Sequence, residues 1–65
     1  MTNKLREVRE SRDIRQYELA GKVRIPAPII SQIERGRRNP TAEEREKLAK
    51  ALGLKPEQIF PRQAR

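Results

Sequence analysis

Two short helical patterns, separated by only four residues, constrain this sequence more than any other feature. The first pattern, Gln16–Val23, repeats apolar side chains at the offsets of a buried helical stripe. The second runs from about Pro28 to Arg35 and is followed by Gly36, a residue type that commonly ends helices. Because only the segment Arg24–Ala27 lies between them, the two helices must turn sharply against each other.

A sharp turn between two short helices is the geometry of a helix-turn-helix. The residues that carry a wider likeness are Gln16, the Glu18-Leu19-Ala20 run, Val23, Ile25, Ile30, Ser31, Ile33, Glu34, Gly36, Asn39 and Pro40, followed by Leu48-Ala49, Leu52-Gly53 and Ile59-Phe60. In these residues the chain resembles the Cro and phage-repressor type of helix-turn-helix, also called the xenobiotic-response-element type, over residues 4–60. The resemblance implies an all-α fold. We expect a compact, five-helix, lambda-repressor-like DNA-binding domain over residues 1–65, with the helix-turn-helix at helices 2 and 3.

Composition narrows the possible functions. The 65 residues include no cysteine and no histidine, which excludes a disulfide framework, a thiolate nucleophile and zinc ligation by nitrogen and sulfur. The serines have no candidate base partner at a readable spacing, so we expect neither an enzyme nor a cofactor. No apolar run approaches the ~20 residues of a membrane span. We therefore expect a cytoplasmic, nucleoid-associated protein that makes no membrane contact.

Positive charge is concentrated on the two-helix segment and the loop after it. Residues 15–40 carry six basic and two acidic side chains, whereas residues 41–60 carry four of each. A charge run is usually a solvated face, but basic residues that coincide with a motif are typical of a polyanion-binding surface. The sequence has only two aromatic residues, Tyr17 and Phe60, too few for a platform that stacks single-stranded bases. Double-stranded DNA is the expected partner.

Helix 4 has the clearest start signal. Thr41, followed three residues later by Glu44, forms a capping box, and Gly53 ends the helix. Because this segment is neutral overall, we expect helix 4 to be scaffold. We expect helix 1 from Asn3 to about Arg12, with Thr2 as its N-cap.

Prolines set the starts of helices 3 and 5. Pro26 and Pro28 bracket Ala27, so we expect helix 3 to begin at Pro28 with Ala27 at the cap. Pro56 opens a short helix 5 that ends near Ile59-Phe60.

Two positions depart from the family pattern. Where relatives place Ser or Thr before helix 2, this chain has Arg15, which forgoes ~1 kcal/mol of capping and adds a cation near the expected phosphate path. Where relatives place glycine in the turn, this chain has Arg24, and a left-handed conformation at a non-glycine residue costs about 1–2 kcal/mol. The turn is therefore either strained or altered in shape.

Helix 3 is the candidate recognition element. Its length of roughly 12 Å is comparable to the ~12 Å width of the major groove. The resemblance implies that base edges are faced by Ala27, Pro28, Ser31 and Gln32, with Ile29 at the margin. Only Gln32 can make a bidentate contact, for which adenine N6 and N7 are suited, and the apolar side chains would pack on thymine methyls. Ile29 could instead pack in the core or contact a partner.

The resemblance and the charge pattern together imply phosphate contacts around helix 3. These are Arg15, Gln16, Tyr17, Arg24, Arg35, Arg37, Arg38 and Asn39. The arginines after helix 3 would act as phosphate clamps, one of them reaching the flanking minor groove. Gln16 would hold a phosphate oxygen together with the free N–H groups of helix 2. Tyr17 either donates a hydrogen bond from its hydroxyl to the same DNA backbone or lies on the surface without a contact to DNA.

Arg9 stands where the family often has an arginine that pairs with the glutamate at Glu34. Such a pair would link helix 1 to the end of helix 3. The alternative is an exposed Arg9 and an unpaired Glu34.

The function these features favour is a sequence-specific, double-stranded-DNA-binding transcriptional regulator. We expect a repressor that binds a palindromic operator as a homodimer through its C-terminal helix region, with Ile59 and Phe60 at the contact; Phe60 could instead plug the core of one chain. Residues 61–65 are either a frayed tail or part of that contact. No small-molecule effector is expected. The alternative function is an antitoxin-like or protein-interaction module that kept the fold with weakened base readout, as the apolar Ala27, Pro28 and Ile29 suggest.

Overall fold

A computed structural model describes residues 3–61, and within that range the protein has five α-helices and no strand. They are α1 (Leu5–Ser11), α2 (Gln16–Val23), α3 (Ala27–Glu34), α4 (Ala42–Leu52) and α5 (Pro56–Ile59). α2 packs against α3 and α4, α4 packs against α5, and α1 packs against α3. The predicted all-α, five-helix fold is confirmed. Over the same residues no helix is long and apolar enough to cross a bilayer.

A single cluster of apolar side chains forms the core, and all five helices contribute to it. The most deeply buried side chains are Leu5, Leu19, Ile30, Ile33, Leu48 and Ile59. Burying one such side chain contributes about 1.5–3 kcal/mol, whereas an isolated helix shorter than ~12 residues is marginal in water. The short helices therefore depend on this shared core for their stability.

α1 begins at Leu5, two residues later than predicted. Asn3 lies just before it, where its side-chain oxygen accepts a hydrogen bond from the Leu5 N–H at 2.9 Å. The amide of Asn3 donates to the carbonyl of Ile33 at 2.8 Å. Lys4 is the N-cap of α1, and Asn3, one residue before it, bonds the first N–H group of the helix and ties α1 to the end of α3. The predicted cap, Thr2, lies outside the described residues.

α3 begins at Ala27, one residue earlier than predicted, with Pro26 at the N-cap. Pro28 then occupies the second helical position. The shift costs nothing because N–H groups in the first turn of a helix have no partner within the helix, so a proline there loses no hydrogen bond.

The predicted bounds of α2 and the predicted start of α4 are confirmed. At α4 the Thr41 hydroxyl accepts from the Glu44 N–H at 3.1 Å, and the Glu44 carboxylate accepts from the Thr41 N–H at 2.9 Å. At α2 only half of this arrangement forms. The Glu18 carboxylate accepts from the Arg15 N–H at 2.8 Å, but an arginine side chain has no acceptor to return the bond.

The turn between α2 and α3 keeps a left-handed residue despite the lack of glycine. Arg24 has φ 60° and ψ 39°, and its N–H donates to the carbonyl of Ala20 at 2.8 Å. The turn is therefore strained, not reshaped. A second non-glycine residue with positive φ, Asp13 at 55°, follows α1 and was not anticipated from the sequence.

Replacing Arg24 with glycine is expected to stabilise the protein by about 0.5–1 kcal/mol. The relief of about 1–2 kcal/mol of left-handed strain exceeds the roughly 0.5–1 kcal/mol that glycine's extra chain entropy costs. Urea denaturation measures the difference. Lys22→Gly, inside α2, is the control and should lose about 1 kcal/mol. Equal destabilisation by both variants would show that the turn is not strained at Arg24.

The C-terminal side chains expected at a dimer contact are instead packed inside one chain. Ile59 is 0% exposed and Phe60 is 7% exposed. The Ile59 carbonyl accepts a hydrogen bond from the Lys4 N–H at 2.9 Å, which joins the end of α5 to the start of α1. The core role weighed for Phe60 is the one observed. A dimer formed at this end would have to use neighbouring exposed groups, and of the tail only Pro61 lies within the described residues.

Candidate nucleic-acid interface

α3 is held from beneath and open on its outer side. Ile30 and Ile33 are both 0% exposed, so the helix is fixed to the core along one face. On the other side Pro28 and Gln32 are exposed and Ser31 is half-buried. No neighbouring segment among residues 3–61 covers the side chain of Gln32, which leaves the outer side of α3 accessible to a large partner.

Two apolar members of the predicted base-reading set are less accessible than Pro28. Ala27 and Ile29 are half-buried, and Ile29 packs against the core. Ile29 therefore acts at least partly as a core residue. Readout by polar groups would rest on Gln32 and Ser31, which is the sparse arrangement expected from the sequence.

One buried carboxylate connects three helices beside this surface. The guanidinium of Arg9 donates from Nε to Glu34 Oε2 at 2.7 Å and from Nη2 to Glu34 Oε1 at 3.3 Å. Its Nη1 donates to the carbonyl of Ile14 at 2.8 Å. The side chains are only 10% and 4% exposed. The ion pair is present, as the family likeness suggested, and the exposed, unpaired alternative is wrong.

Gln16 belongs to the same network. Its Nε2 donates to Glu34 Oε1 at 3.0 Å, so the amide predicted to hold a phosphate is fixed at the N-terminus of α2. An amide nitrogen carries two hydrogens, and one remains after this bond. The carboxylate of Glu34 therefore sets the orientation in which Gln16 would meet a ligand.

A cleft of about 330 Å³ brings predicted base contacts and predicted phosphate contacts together. Gln16, Ser31 and Arg35 line it, along with Arg6, whose Nε also donates to Glu10 at 3.2 Å. Arg6 was not among the predicted contacts. Only the packing of α1 against α3 brings it here, and nothing local in its sequence signals that packing.

The remaining predicted phosphate contacts are spread over the surface. Exposed side chains belong to Arg15, Tyr17, Arg24, Arg35, Arg37 and Asn39. Tyr17 is 65% exposed and, among residues 3–61, makes no side-chain hydrogen bond. Arg24 lines a different groove from the cleft that holds Arg35, so these contacts do not form one cluster.

Arg38 is partly committed within the chain. Its Nη2 donates to Glu44 Oε2 at 3.0 Å, and its side chain is 39% exposed. Its Nε is buried without a hydrogen-bond partner among the described residues. Arg38 thus ties the loop after α3 to the first turn of α4, whereas Arg37 beside it makes no such bond within residues 3–61. A clamping role for Arg38 would require it to share its guanidinium with Glu44.

The ionisation of Glu44 is expected to make the free energy of unfolding depend on pH. The Thr41 N–H, and next the Arg38 guanidinium, lower the pKa of the Glu44 carboxyl below its ordinary value of 4.5, and burial opposes them. A lowered folded-state pKa means stability that is present above pH 4.5 and is lost as pH falls through the lower value. We expect the advantage of the wild-type protein over Glu44→Gln in urea denaturation to shrink as pH falls from 7 to 3.

Glutamine keeps the acceptor of the capping box, so this comparison isolates the charge. Glu43→Gln is the control, because the Glu43 side chain is 78% exposed. An advantage over Glu44→Gln that stayed constant with pH would contradict the assignment.

Two short helices that meet at a tight turn, the second with an open outer side flanked by cations, define a helix-turn-helix DNA-binding domain. The comparison with known proteins agrees. A helix-turn-helix family model matches residues 5–59, and the chain belongs to this family, in its Cro/C1-type branch. This places its helix-turn-helix domain among those of DNA-binding regulators of transcription.

Two curated relatives support the assignment. The chain is 39% identical over 54 residues to the HTH-type transcriptional regulator DdrOP3 of Deinococcus deserti, a match that covers 83% of this chain and 42% of the relative. It is 39% identical over 58 residues to the control protein C.BamHI of Bacillus amyloliquefaciens, covering 88% of this chain and 72% of the relative. The chain therefore spans less than half of the Deinococcus protein and most of the Bacillus one.

Proposed function

We propose that this protein is a sequence-specific, double-stranded-DNA-binding repressor of transcription that binds a palindromic operator as a homodimer. The observation that carries the proposal is the exposed outer side of α3, held in place by the buried Ile30 and Ile33. An α-helix presented in this way fits the major groove, where each base pair displays a distinct pattern of donors and acceptors. The names of the relatives, a transcriptional regulator and a control protein, support the regulatory role.

Each predicted contact has a role in this proposal. Gln32 reads adenine and Ser31 contacts a base edge. Pro28 packs on a thymine methyl with Ala27 and Ile29 beside it. Phosphates are held by Arg15, Gln16, Tyr17, Arg24, Arg35, Arg37, Arg38 and Asn39. These phosphate contacts set the orientation of α3, and the few base contacts supply selectivity.

Dimerisation follows from the small number of base contacts. A good bidentate pair is worth about 1–3 kcal/mol of discrimination, and specific sites are commonly bound about 4–10 kcal/mol more tightly than random DNA. A single Gln32 does not reach that range. Two chains on half-sites about 34 Å apart double the number of base contacts. A repressor of this kind acts in the cytoplasm, on the DNA of the nucleoid.

Selection of bound sites from random duplex DNA tests the proposal. The expected result is an inverted repeat with half-sites one helical turn apart, protected symmetrically in a footprint, and a complex containing two chains by analytical ultracentrifugation. An asymmetric site bound by one chain would overturn the palindrome and the dimer. Recovery of no consensus would overturn sequence-specific binding.

The alternative, an antitoxin-like or protein-interaction module, is favoured by one observation only, the apolar character of Ala27, Pro28 and Ile29. Salt and competition separate the two functions. Operator binding should survive an excess of random DNA and fall steeply with salt. An interaction module would bind all duplexes alike and weakly, as its charge alone allows.

A further inference from the structure

A second basic surface lies between α2 and α4. An open groove of about 400 Å³ runs between the C-terminal end of α2 and the second half of α4. We call it the α2–α4 groove, and it is lined by Lys22, Val23, Arg24, Lys47, Lys50 and Ala51. None of these residues belongs to α3, and only Arg24 was among the predicted DNA contacts.

The positive charge of the α2–α4 groove is barely neutralised by the chain itself. None of the lining residues is acidic. Within residues 3–61, Lys22, Arg24 and Lys50 make no ion pair, and Lys47 pairs only with Glu43 at 3.5 Å. That pair is weak because both side chains are well exposed, 44% for Lys47 and 78% for Glu43. Four cations on one concave surface focus a positive potential.

The position of the α2–α4 groove favours an extended anion that continues from the α3 surface. Arg24 lies in the turn, three residues before Ala27, the first residue of α3. In helix-turn-helix docking the N-terminal residues of the recognition helix contact the base edges. The cations of the groove therefore begin next to that end of α3 and lead away from it onto α4.

The shape of the α2–α4 groove argues against a small ligand. Small-molecule sites are concave enough to bury most of the ligand and have convergent polar groups, whereas this groove is open to solvent. Lys47 and Lys50 are three residues apart on α4, a spacing that places their Cβ atoms about 5–6 Å apart on the same helix face. A row of cations along an open groove suits the densely charged backbone of a duplex.

We propose that the α2–α4 groove is a second phosphate track, along which the backbone of duplex DNA flanking the operator half-site lies against Lys22, Arg24, Lys47 and Lys50. The inference rests on the proposed function. It also revises the expectation that α4 is only scaffold. The helix is neutral in total but separates its charges, with Glu43 and Glu44 in its first turn and both lysines of the groove in its second half.

The test compares two duplexes that carry the same selected site. One ends at the outer base pairs of the half-sites and the other extends ten base pairs further on each side. The double variant Lys22→Gln/Lys50→Gln removes two cations of the groove. On the long duplex, each lost phosphate contact should lower the slope of log K against log salt by about 0.9. Because the proposed dimer has two grooves, the variant complex loses four such contacts, and raising salt from 50 to 200 mM should weaken the wild-type complex about 150-fold more than the variant complex.

Lys4→Gln/Lys55→Gln is the matched control, because it removes the same charge from exposed lysines outside the groove. On each duplex, the control should have the same salt slope as the wild type. The groove variant should have a lower slope than the wild type on the long duplex alone. Thermal melts establish that all three proteins are folded.

Failure of the inference is distinguishable from failure of the proposed function. The groove is not a phosphate track if the wild-type salt slope is the same on both duplexes, or if the groove variant has the same slopes as the control. An acidic protein segment would then be the better-suited occupant of the groove. Specific operator binding would survive that result. If the wild-type protein selects no site at all, the proposed function fails and this inference fails with it.

Discussion

Replacing Glu34 with alanine is expected to leave the protein largely unfolded near 37 °C. The substitution leaves the guanidinium of Arg9, whose side chain is 10% exposed, with only the carboxylate of the exposed Glu10, 3.9 Å away, as a counter-charge. Removing one partner of a buried ion pair costs about 3–5 kcal/mol, and a domain of this size has little stability to lose. Each kcal/mol corresponds to roughly 4–8 °C in Tm for a domain of 60–100 residues. Circular dichroism during a thermal melt measures the loss.

Two controls separate burial from charge. Arg6→Ala breaks the exposed pair with Glu10, whose side chains are 70% and 56% exposed, and should cost no more than about 1 kcal/mol. The double variant Arg9→Met/Glu34→Leu removes both buried charges at once and should recover much of the lost stability, since apolar replacements of buried pairs are often neutral. A melt of Glu34→Ala like that of Arg6→Ala would refute the structural role of the pair.

The parts of the fold that the sequence predicted correctly are those specified by local chemistry. The capping box of Thr41 and Glu44 needs only residues three apart, and the apolar face of α2 needs only its own periodicity. Each signal acts within one or two turns of helix. For the same reason the bounds of α2 and the start of α4 agree with the structure.

The misjudged parts depend on contacts between distant residues. Asn3 is held before α1 by its bond to Ile33, thirty positions away. Ile59 and Phe60 are buried because α5 packs on α4 and its end is bonded to the start of α1. Arg6 reaches the cleft beside Gln16 only through the packing of α1 on α3. Sequence periodicity carries no information on such juxtapositions, so these features had to be read from the three-dimensional structure.

The candidate site shows the same division. The exposure of Gln32 and the burial of Ile30 follow from helical geometry and could be predicted. The commitment of Arg38 to Glu44 and of Gln16 to Glu34 could not, because a charged or amide side chain on the surface has many partners of similar energy. The base and phosphate roles themselves stay predictions, and the sharpest test of them concerns Gln32.

Replacing Gln32 with alanine is expected to cost about 1–3 kcal/mol at one base pair of each half-site, or roughly 5- to 150-fold in discrimination there. The exposed amide of Gln32 is the one side chain on the outer side of α3 that can donate to and accept from adenine at the same time. Its loss removes two hydrogen bonds at that position and leaves the phosphate contacts in place. Site selection with the variant should return the same inverted repeat with that one position relaxed.

Arg37→Ala is the matched comparison, because Arg37 is exposed in the loop after α3 and is predicted to meet a phosphate. Its loss should weaken binding to all sequences alike and lower the salt slope by about 1 for each chain of the dimer, with no change in the selected consensus. The two variants therefore separate base reading from phosphate binding in a single pair of experiments. A consensus unchanged by Gln32→Ala would mean that α3 does not present this side chain to the bases, and the assignment of its outer side as the reading surface would have to be abandoned even if Arg37→Ala behaved as expected.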